Sequence, residues 1–203
     1  FPATGLLFCV TRYDMRGIGG YAPDYIRRAY LEWYATQTKY YPLQENPSRV
    51  SWLTNFEEFF IRRAPGNTCM SALSQGGYGT IEKPINHSKG CGGVMRVAPI
   101  GIYFADNDKH HYESPVDMIG AEVTAITHGH ELGYIPSAAL VHIIRSLASG
   151  QQTEILSAVR DSIDAMQKLF PEAKHMQEFV SVMEKAISLS GKDLPDVDAI
   201  HQI

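Results

Sequence analysis

Apolar residues recur at spacings of three and four along most of this chain, which is the period of an amphipathic α-helix. We predict a helix over 23–38, because Pro23 stands at a favourable first helical position and charged residues fill the opposite face. A polar connector follows over 42–55, and Asn67 is expected to cap a short helix that ends at 76–77. The apolar positions of the first helix are Tyr25, Ile26, Ala29, Tyr30, Trp33 and Tyr34.

The second half of the chain carries further helix signals. Ser114 and Pro115 are residue types preferred at an N-cap and at the first helical position, and Pro136 begins the next predicted helix in the same way. Two more apolar stripes lie in 153–169 and 172–190, and no alternating strand pattern of useful length occurs. The sequence therefore predicts an all-α fold and a single domain spanning all 203 residues.

Composition and charge narrow the functional classes. A net charge of −4, from 18 basic and 22 acidic residues, disfavours a general nucleic-acid binder. The longest apolar run, 5–10, is shorter than the roughly 20 residues that a membrane span requires. Three cysteines without a C-x-x-C pair suit a reducing compartment better than a disulfide framework or a structural zinc site. We therefore expect a cytoplasmic protein that binds neither nucleic acid nor membrane.

The stretch "HSKGCGGVMRVAPIG" (87–101) concentrates residue types that can carry chemistry. Gly90, Gly92 and Gly93 would let backbone N–H groups approach an anionic ligand. The stretch matches neither the P-loop nor the dinucleotide-binding pattern, however. A tight turn into a buried helix beginning near Val94 is an alternative of equal weight.

Two side chains in this stretch have competing interpretations. Cys91 would be a nucleophile if His87 or His128 lowered its pKa, although a small residue in a tight turn is its more ordinary role. Arg96 is suited to an anionic ligand, to a backbone carbonyl or to a buried structural ion pair.

A second candidate region, 126–144, contains the pair His128 and His130. With His142 these residues would supply three zinc ligands, but His142 falls in the middle of the next predicted helix, so we do not expect them to converge. The histidines and Tyr134 are better suited to stacking on, and hydrogen bonding to, a nucleoside. Favourable interaction of the imidazoles with a helix C-terminus is the structural alternative.

Three ordered blocks together resemble the ADP-ribosylglycohydrolase family, which includes dinitrogenase-reductase-activating glycohydrolase and the ADP-ribosyl-acceptor hydrolases. They are "GNTCMSAL" (66–73), "SKGCGGVMRVAPIGI" (88–102) and "AEVTAITHGHELGYIPSAALVHII" (121–144). The resemblance is good over 1–150 and generic over 151–203. It implies an orthogonal multi-helix bundle and a hydrolase that removes ADP-ribose from a modified protein side chain or a small molecule.

The resemblance also implies a metal centre. In that family, two Mg²⁺ or Mn²⁺ ions are held by aspartates of a T-D-D-T motif near the N-terminus and a G-x-D-[ST]-D-[ST] motif near the C-terminus. This sequence contains neither motif. We therefore expect the central part of a family domain, lacking both terminal parts, inactive alone and prone to self-association through uncovered apolar faces.

The same resemblance implies a substrate-binding role for nine residues, and no catalytic residue or metal ligand within the chain. A non-catalytic module that binds ADP-ribose or a nucleotide is the alternative function. The nine residues are Asn67, Ser88, Gly90, Cys91, Gly92, His128, Gly129, Gly133 and Tyr134.

Overall fold

The computed structural model describes residues 1–106, 115–190 and 196–201, and over these ranges it contains helices and no strand. The predicted all-α fold is therefore confirmed. The α-helices are α1 (Pro2–Arg16), α2 (Ala22–Thr38), α3 (Asn67–Ser74), α4 (Ala98–Tyr103), α5 (Val116–Ala125), α6 (Glu131–Ala148), α7 (Ile155–Leu169), α8 (Met176–Ser190) and α9 (Asp196–Ile200). Short 3₁₀ helices span Trp52–Asn55, Glu57–Phe60 and Val94–Arg96. None of the described helices is both long and apolar enough to cross a bilayer.

Two apolar clusters form the core, and helices α5 and α6 contribute to both. The first cluster gathers side chains of α1 to α6 around Phe104 and Ile26, and the second gathers α5 to α8 around Ile135 and Met166. Helix α6 supplies Val141 to the first cluster and Ile135 to the second. Because burial of apolar area is the main favourable term in folding, both halves of the core depend on the pair of helices α5 and α6.

The stripe predicted for 23–38 is present in α2. Ile26, Ala29 and Tyr30 are buried, and the helix begins at Ala22 with Pro23 in its first turn. Helices α7 and α8 are also present, and they begin two and four residues later than the predicted starts at 153 and 172.

The predicted start of α6 at Pro136 is wrong. The helix begins at Glu131, and the side chain of His130 caps it by accepting a hydrogen bond from the Leu132 N–H at 3.1 Å. Pro136 therefore lies in the second turn, where its missing N–H removes the bond that would otherwise reach the Leu132 carbonyl. Proline is preferred in the first turn of a helix but is not confined to it. Here the burial of apolar residues on both sides of α6 outweighs that preference.

Two predicted caps also differ. Gly66 is the N-cap of α3, and Asn67 is the first helical residue, whose side chain makes no capping hydrogen bond. Pro115 occupies the N-cap of α5 rather than the first helical position. Ser114, predicted as that N-cap, lies outside the described residues.

Helix α4 packs closely on α6, and Gly101 permits the contact. A β-carbon at Gly101 would lie 2.9 Å from the Val141 carbonyl oxygen and 2.9 Å from the Ile144 β-carbon, both closer than normal van der Waals contact. The loop that precedes α4 and the turn that precedes α6 are consequently held side by side.

We expect Gly101→Ala to lower the free energy of unfolding by about 1–3 kcal/mol, since the added methyl group must push α4 away from α6. Gly19→Ala is the control, because Gly19 is exposed and has no atom near its would-be β-carbon. Chemical denaturation of the two variants and the parent measures the difference. Equal stability of both variants would show that the α4–α6 contact does not require glycine.

Candidate functional site

Three segments that are distant in sequence converge on one surface. They are the first turn of α3, the loop 88–93 and the turn 127–130 that precedes α6. The Thr68 and Ser88 hydroxyl oxygens lie 3.4 Å apart, which joins α3 to the loop. A β-carbon at Gly92 would lie 3.2 Å from His128 Nε2 and 3.6 Å from the Cys69 sulfur, so this part of the loop covers the histidine ring.

The side chain of Asn86 ties the loop to the turn. Its Nδ2 donates to the Thr127 carbonyl at 2.9 Å, and its Oδ1 accepts from the N–H groups of Ser88 at 3.0 Å and Gly129 at 3.3 Å. The Ser88 carbonyl in turn accepts a hydrogen bond from the N–H of His130. Asn86 was not among the residues predicted for the site. The signal available was its Asn-x-Ser context, which is typical of a side chain that bonds the backbone two residues on.

Gly129 has a packing role in this arrangement. A β-carbon there would lie 2.4 Å from the Asn86 carbonyl oxygen and 2.5 Å from the Pro84 β-carbon, so a side chain cannot fit without moving the backbone. The close approach of the two segments therefore depends on glycine at this position.

Arg96 is partly buried, and its guanidinium contacts groups in the interior. Its guanidinium carbon is 4.3 Å from the centroid of the Tyr30 ring, and its nitrogens donate to the Cys69 sulfur at 3.5 Å and to the Thr127 hydroxyl. Within the described residues it has no carboxylate partner, so the ion pair considered from the sequence is not formed. Burial raises the pKa of the Tyr30 hydroxyl to about 12, an effect that the Arg96 charge partly opposes.

His128 is buried at the centre of the three segments, with 2% of its surface exposed. Its Nδ1 lies 2.8 Å from the Thr127 hydroxyl oxygen. Burial, reinforced by the positive charge of Arg96, lowers the pKa of His128 to about 4. The imidazole is therefore neutral at physiological pH.

The three histidines considered as zinc ligands do not come together. His130 caps α6 through Nδ1. His142 lies between α5 and α7, where Nδ1 is 2.7 Å from Asp117 Oδ2 and Nε2 is 3.1 Å from Asp161 Oδ2. The hydrogen bond to Asp117 is the largest cause of the raised pKa of His142.

The remaining residues predicted to bind substrate divide into two groups. Asn67, Gly90 and Cys91 are exposed on the convergent surface, and Ser88 is partly exposed there. Gly133 is buried next to Ser88. A β-carbon at Gly133 would lie 3.1 Å from the Ser88 carbonyl oxygen.

Tyr134 does not lie on the convergent surface. Only 7% of the residue is exposed, and its ring packs in the second core cluster at 5.7 Å from the Phe170 ring. Stacking of Tyr134 on a ligand is therefore not possible in this structure. No hydrogen bond joins Cys91 to His87 or His128 in the part of the chain that the structure describes, so the geometry offers no support for a cysteine nucleophile.

A model of the ADP-ribosylglycohydrolase family matches residues 3–203. The chain belongs to the ADP-ribosylglycohydrolase family. No curated protein and no solved structure matches it. The resemblance drawn from the three blocks is thus confirmed. It extends through α7 and α8, where the sequence pattern alone was generic.

Members of this family are hydrolases and are generally metal-dependent. The residues of the convergent surface do not fit a metal pair. Among all the described positions there is no group of three or more His, Cys, Asp or Glu side chains that could hold a metal ion. The guanidinium of Arg96 beside His128 would also repel a second cation.

The depressed pKa of His128 predicts a specific loss of stability in acid. The unfolded chain takes up a proton near pH 6.5, whereas the folded chain does so only near pH 4, so stability present above pH 6.5 is lost as pH falls through this window. Between pH 7 and pH 5 the loss due to His128 is about 2 kcal/mol.

His128→Asn tests this expectation, because the asparagine amide does not titrate. We expect the unfolding free energy of the variant to fall by about 2 kcal/mol less than that of the parent over this pH interval. Urea denaturation at pH 7 and pH 5 measures the difference. Equal losses in the two proteins would contradict it.

Proposed function

We propose that this chain provides the ADP-ribose-binding surface of an ADP-ribosyl glycohydrolase. Such an enzyme hydrolyses the N- or O-glycosidic bond that links ADP-ribose to a protein side chain or a small molecule. Family membership supports the glycohydrolase class. The convergence of α3, the loop 88–93 and the turn 127–130 supports the position of the surface.

The observation that carries this proposal is the backbone of the loop. The N–H groups of Cys91 and Gly92 make no hydrogen bond to any part of the chain that the structure describes. They lie in an exposed turn beside His128. Backbone N–H groups that converge in such a turn form a concave site for an anion, and the pyrophosphate of ADP-ribose supplies one.

Charge near the loop is consistent with an anionic ligand. The Lys89 side chain is 64% exposed. Its only ion pair among the described residues is with Glu178, whose side chain is 51% exposed, and the distance from Nζ to Oε1 is long, at 3.8 Å. A surface contact of this kind contributes little to stability, so Lys89 is free to approach a phosphate. Ser88 and Asn67 add polar groups at the edge of the same surface.

The bond-breaking step, in this proposal, depends on Mg²⁺ or Mn²⁺ held by aspartate motifs that this sequence does not contain. The residues described above bind and orient the ADP-ribose and supply no group that cleaves the bond. Cys91 has no catalytic role. The partner is therefore an ADP-ribosylated protein or small molecule.

We place the protein in the cytoplasm, a proposal supported by its three cysteines, which form no disulfide. Self-association is also proposed. It is supported by exposed apolar side chains on α1, including Phe8 and Met15, the latter 77% exposed.

We expect the 203-residue chain to bind ADP-ribose, and Gly90→Ala to weaken that binding about tenfold, equivalent to about 1.4 kcal/mol. The added methyl group fits the folded chain, since its nearest neighbour would be 3.4 Å away, but it stands where a ligand would approach the loop. Gly19→Ala is the control on a different surface. Calorimetric titration of the three proteins measures the affinities. Absence of binding at millimolar ADP-ribose would refute the proposal.

We also expect the chain alone to hydrolyse ADP-ribosylated substrate slowly or not at all, with or without added Mg²⁺ or Mn²⁺. Release of free ADP-ribose, followed by chromatography, measures the rate. Metal-stimulated turnover at an ordinary enzymatic rate would contradict the dependence on aspartates from outside this sequence. Binding without turnover in a longer chain that contains both motifs would instead favour the non-catalytic binding module.

A further inference from the structure

The Thr127 hydroxyl stands between a guanidinium, which can only donate hydrogen bonds, and an imidazole nitrogen, which can either donate or accept one. On one side it is bonded to a guanidinium nitrogen of Arg96, and on the other it lies 2.8 Å from Nδ1 of His128. Thr127 has no exposed surface, and His128 is almost fully buried, so water does not substitute for either partner.

The direction of both hydrogen bonds follows from the chemistry of the three groups. A guanidinium has donors and no acceptor, so the Thr127 oxygen accepts from Arg96. The single hydroxyl hydrogen must then go elsewhere, and within the described residues His128 Nδ1 is its only hydrogen-bond acceptor. Nδ1 is consequently an acceptor that carries no proton, and a neutral imidazole of this kind carries its proton on Nε2.

We infer that Arg96, acting through Thr127, fixes His128 as the neutral Nε2–H tautomer, so that the site presents an uncharged N–H donor to an oxygen atom of its ligand. Arg96 and Thr127 are positioning residues in this inference, and neither touches the ligand.

The free edge of the imidazole faces the glycine loop. Nε2 has no hydrogen-bond partner in residues 1–106, 115–190 or 196–201, and would-be β-carbons at Gly92 and Gly90 lie 3.2 and 3.7 Å from it. An Nε2–H donor there lies next to the loop in which the N–H groups of Cys91 and Gly92 make no hydrogen bond to the described chain. Its ligand atom is therefore an oxygen acceptor, which in the proposed function belongs to ADP-ribose. Only the identity of the ligand rests on that proposal.

The groups around the His128 ring disfavour its protonation to an imidazolium. The titratable or charged side chains near it are Arg96 from the 3₁₀ helix and Cys69 from α3, with Tyr30 of α2 behind Arg96. A proton on Nδ1 would point at the Thr127 oxygen, whose own hydrogen would then lose its acceptor, and would add charge beside the guanidinium. The lowered pKa of His128 agrees with this geometry.

Imidazole nitrogen NMR of the ¹⁵N-labelled chain tests the inference without any ligand. The signals of His128 are those that His128→Asn removes. In the parent protein we expect a protonated Nε2 and an unprotonated Nδ1, unchanged from pH 8 down to about pH 5. A protonated Nδ1 at pH 7, or an imidazolium above pH 6, would overturn the inference.

Two substitutions at Thr127 separate this role from a merely structural one. Thr127→Val keeps the shape and removes the hydroxyl, so we expect a mixture of both tautomers, whereas Thr127→Ser should restore the parent pattern. Thr124→Val is the matched control, since Thr124 is equally buried and its hydroxyl makes no hydrogen bond within the described chain. An unaltered tautomer in Thr127→Val would contradict the relay. If Thr127→Val does not fold, the parent and Thr127→Ser spectra still decide the question.

Addition of ADP-ribose to the labelled protein distinguishes this inference from the proposed function. If both hold, the Nε2 signal shifts on titration, and Thr127→Val binds about tenfold more weakly, the loss of one well-made hydrogen bond. A fixed Nε2–H tautomer with no response to ADP-ribose would leave the inference intact and count against the ligand. A response to ADP-ribose together with a protonated Nδ1 would support ADP-ribose as the ligand and overturn the inferred tautomer.

Discussion

The arrangement of the convergent surface depends on the need to accommodate one partly buried guanidinium. Arginine remains charged inside a protein, and a buried charge is costly unless polar or aromatic groups surround it. Here the Tyr30 ring, the Cys69 sulfur and the Thr127 hydroxyl surround Arg96, and each comes from a different segment. Accommodating this one side chain thus brings together α2, α3, the loop before α4 and the turn before α6.

Two further devices keep the loop and the turn in register above that cation. The loop and the turn are irregular, so their backbone groups do not all pair with each other. The Asn86 side chain supplies hydrogen-bond partners for three of these groups. Gly129 lets the segments approach to a distance that any side chain would prevent. Below them, α6 contributes to both core clusters. The surface is therefore built on a rigid element rather than on the loops alone, and this favours a preformed binding site.

The periodicity of the sequence was sufficient for helices such as α2, α7 and α8, although α1 was not predicted. The three blocks were sufficient for the family, because their order along the chain is itself a signal. Helix α2 shows the first case, since its stripe alone locates its buried face. The start of α6 could not be predicted, because His130 is an unusual cap and Pro136 is a common first-turn residue that tertiary packing places elsewhere. The partners of Arg96 and Asn86 were also out of reach. Except for the local bond from Asn86 to Ser88, these are contacts across 27 to 66 residues of chain, which no local pattern encodes.

His142, which joins α5 to α7 through Asp117 and Asp161, has a consequence for how this fold responds to acid. Its raised pKa means that it stabilises the folded chain by holding a proton, and this contribution is lost as pH rises through that pKa. His128 does the opposite, because the folded chain excludes its proton. Two histidines at opposite ends of the same pair of helices therefore oppose each other on acidification. A profile of total stability against pH would therefore conceal two local effects of opposite sign.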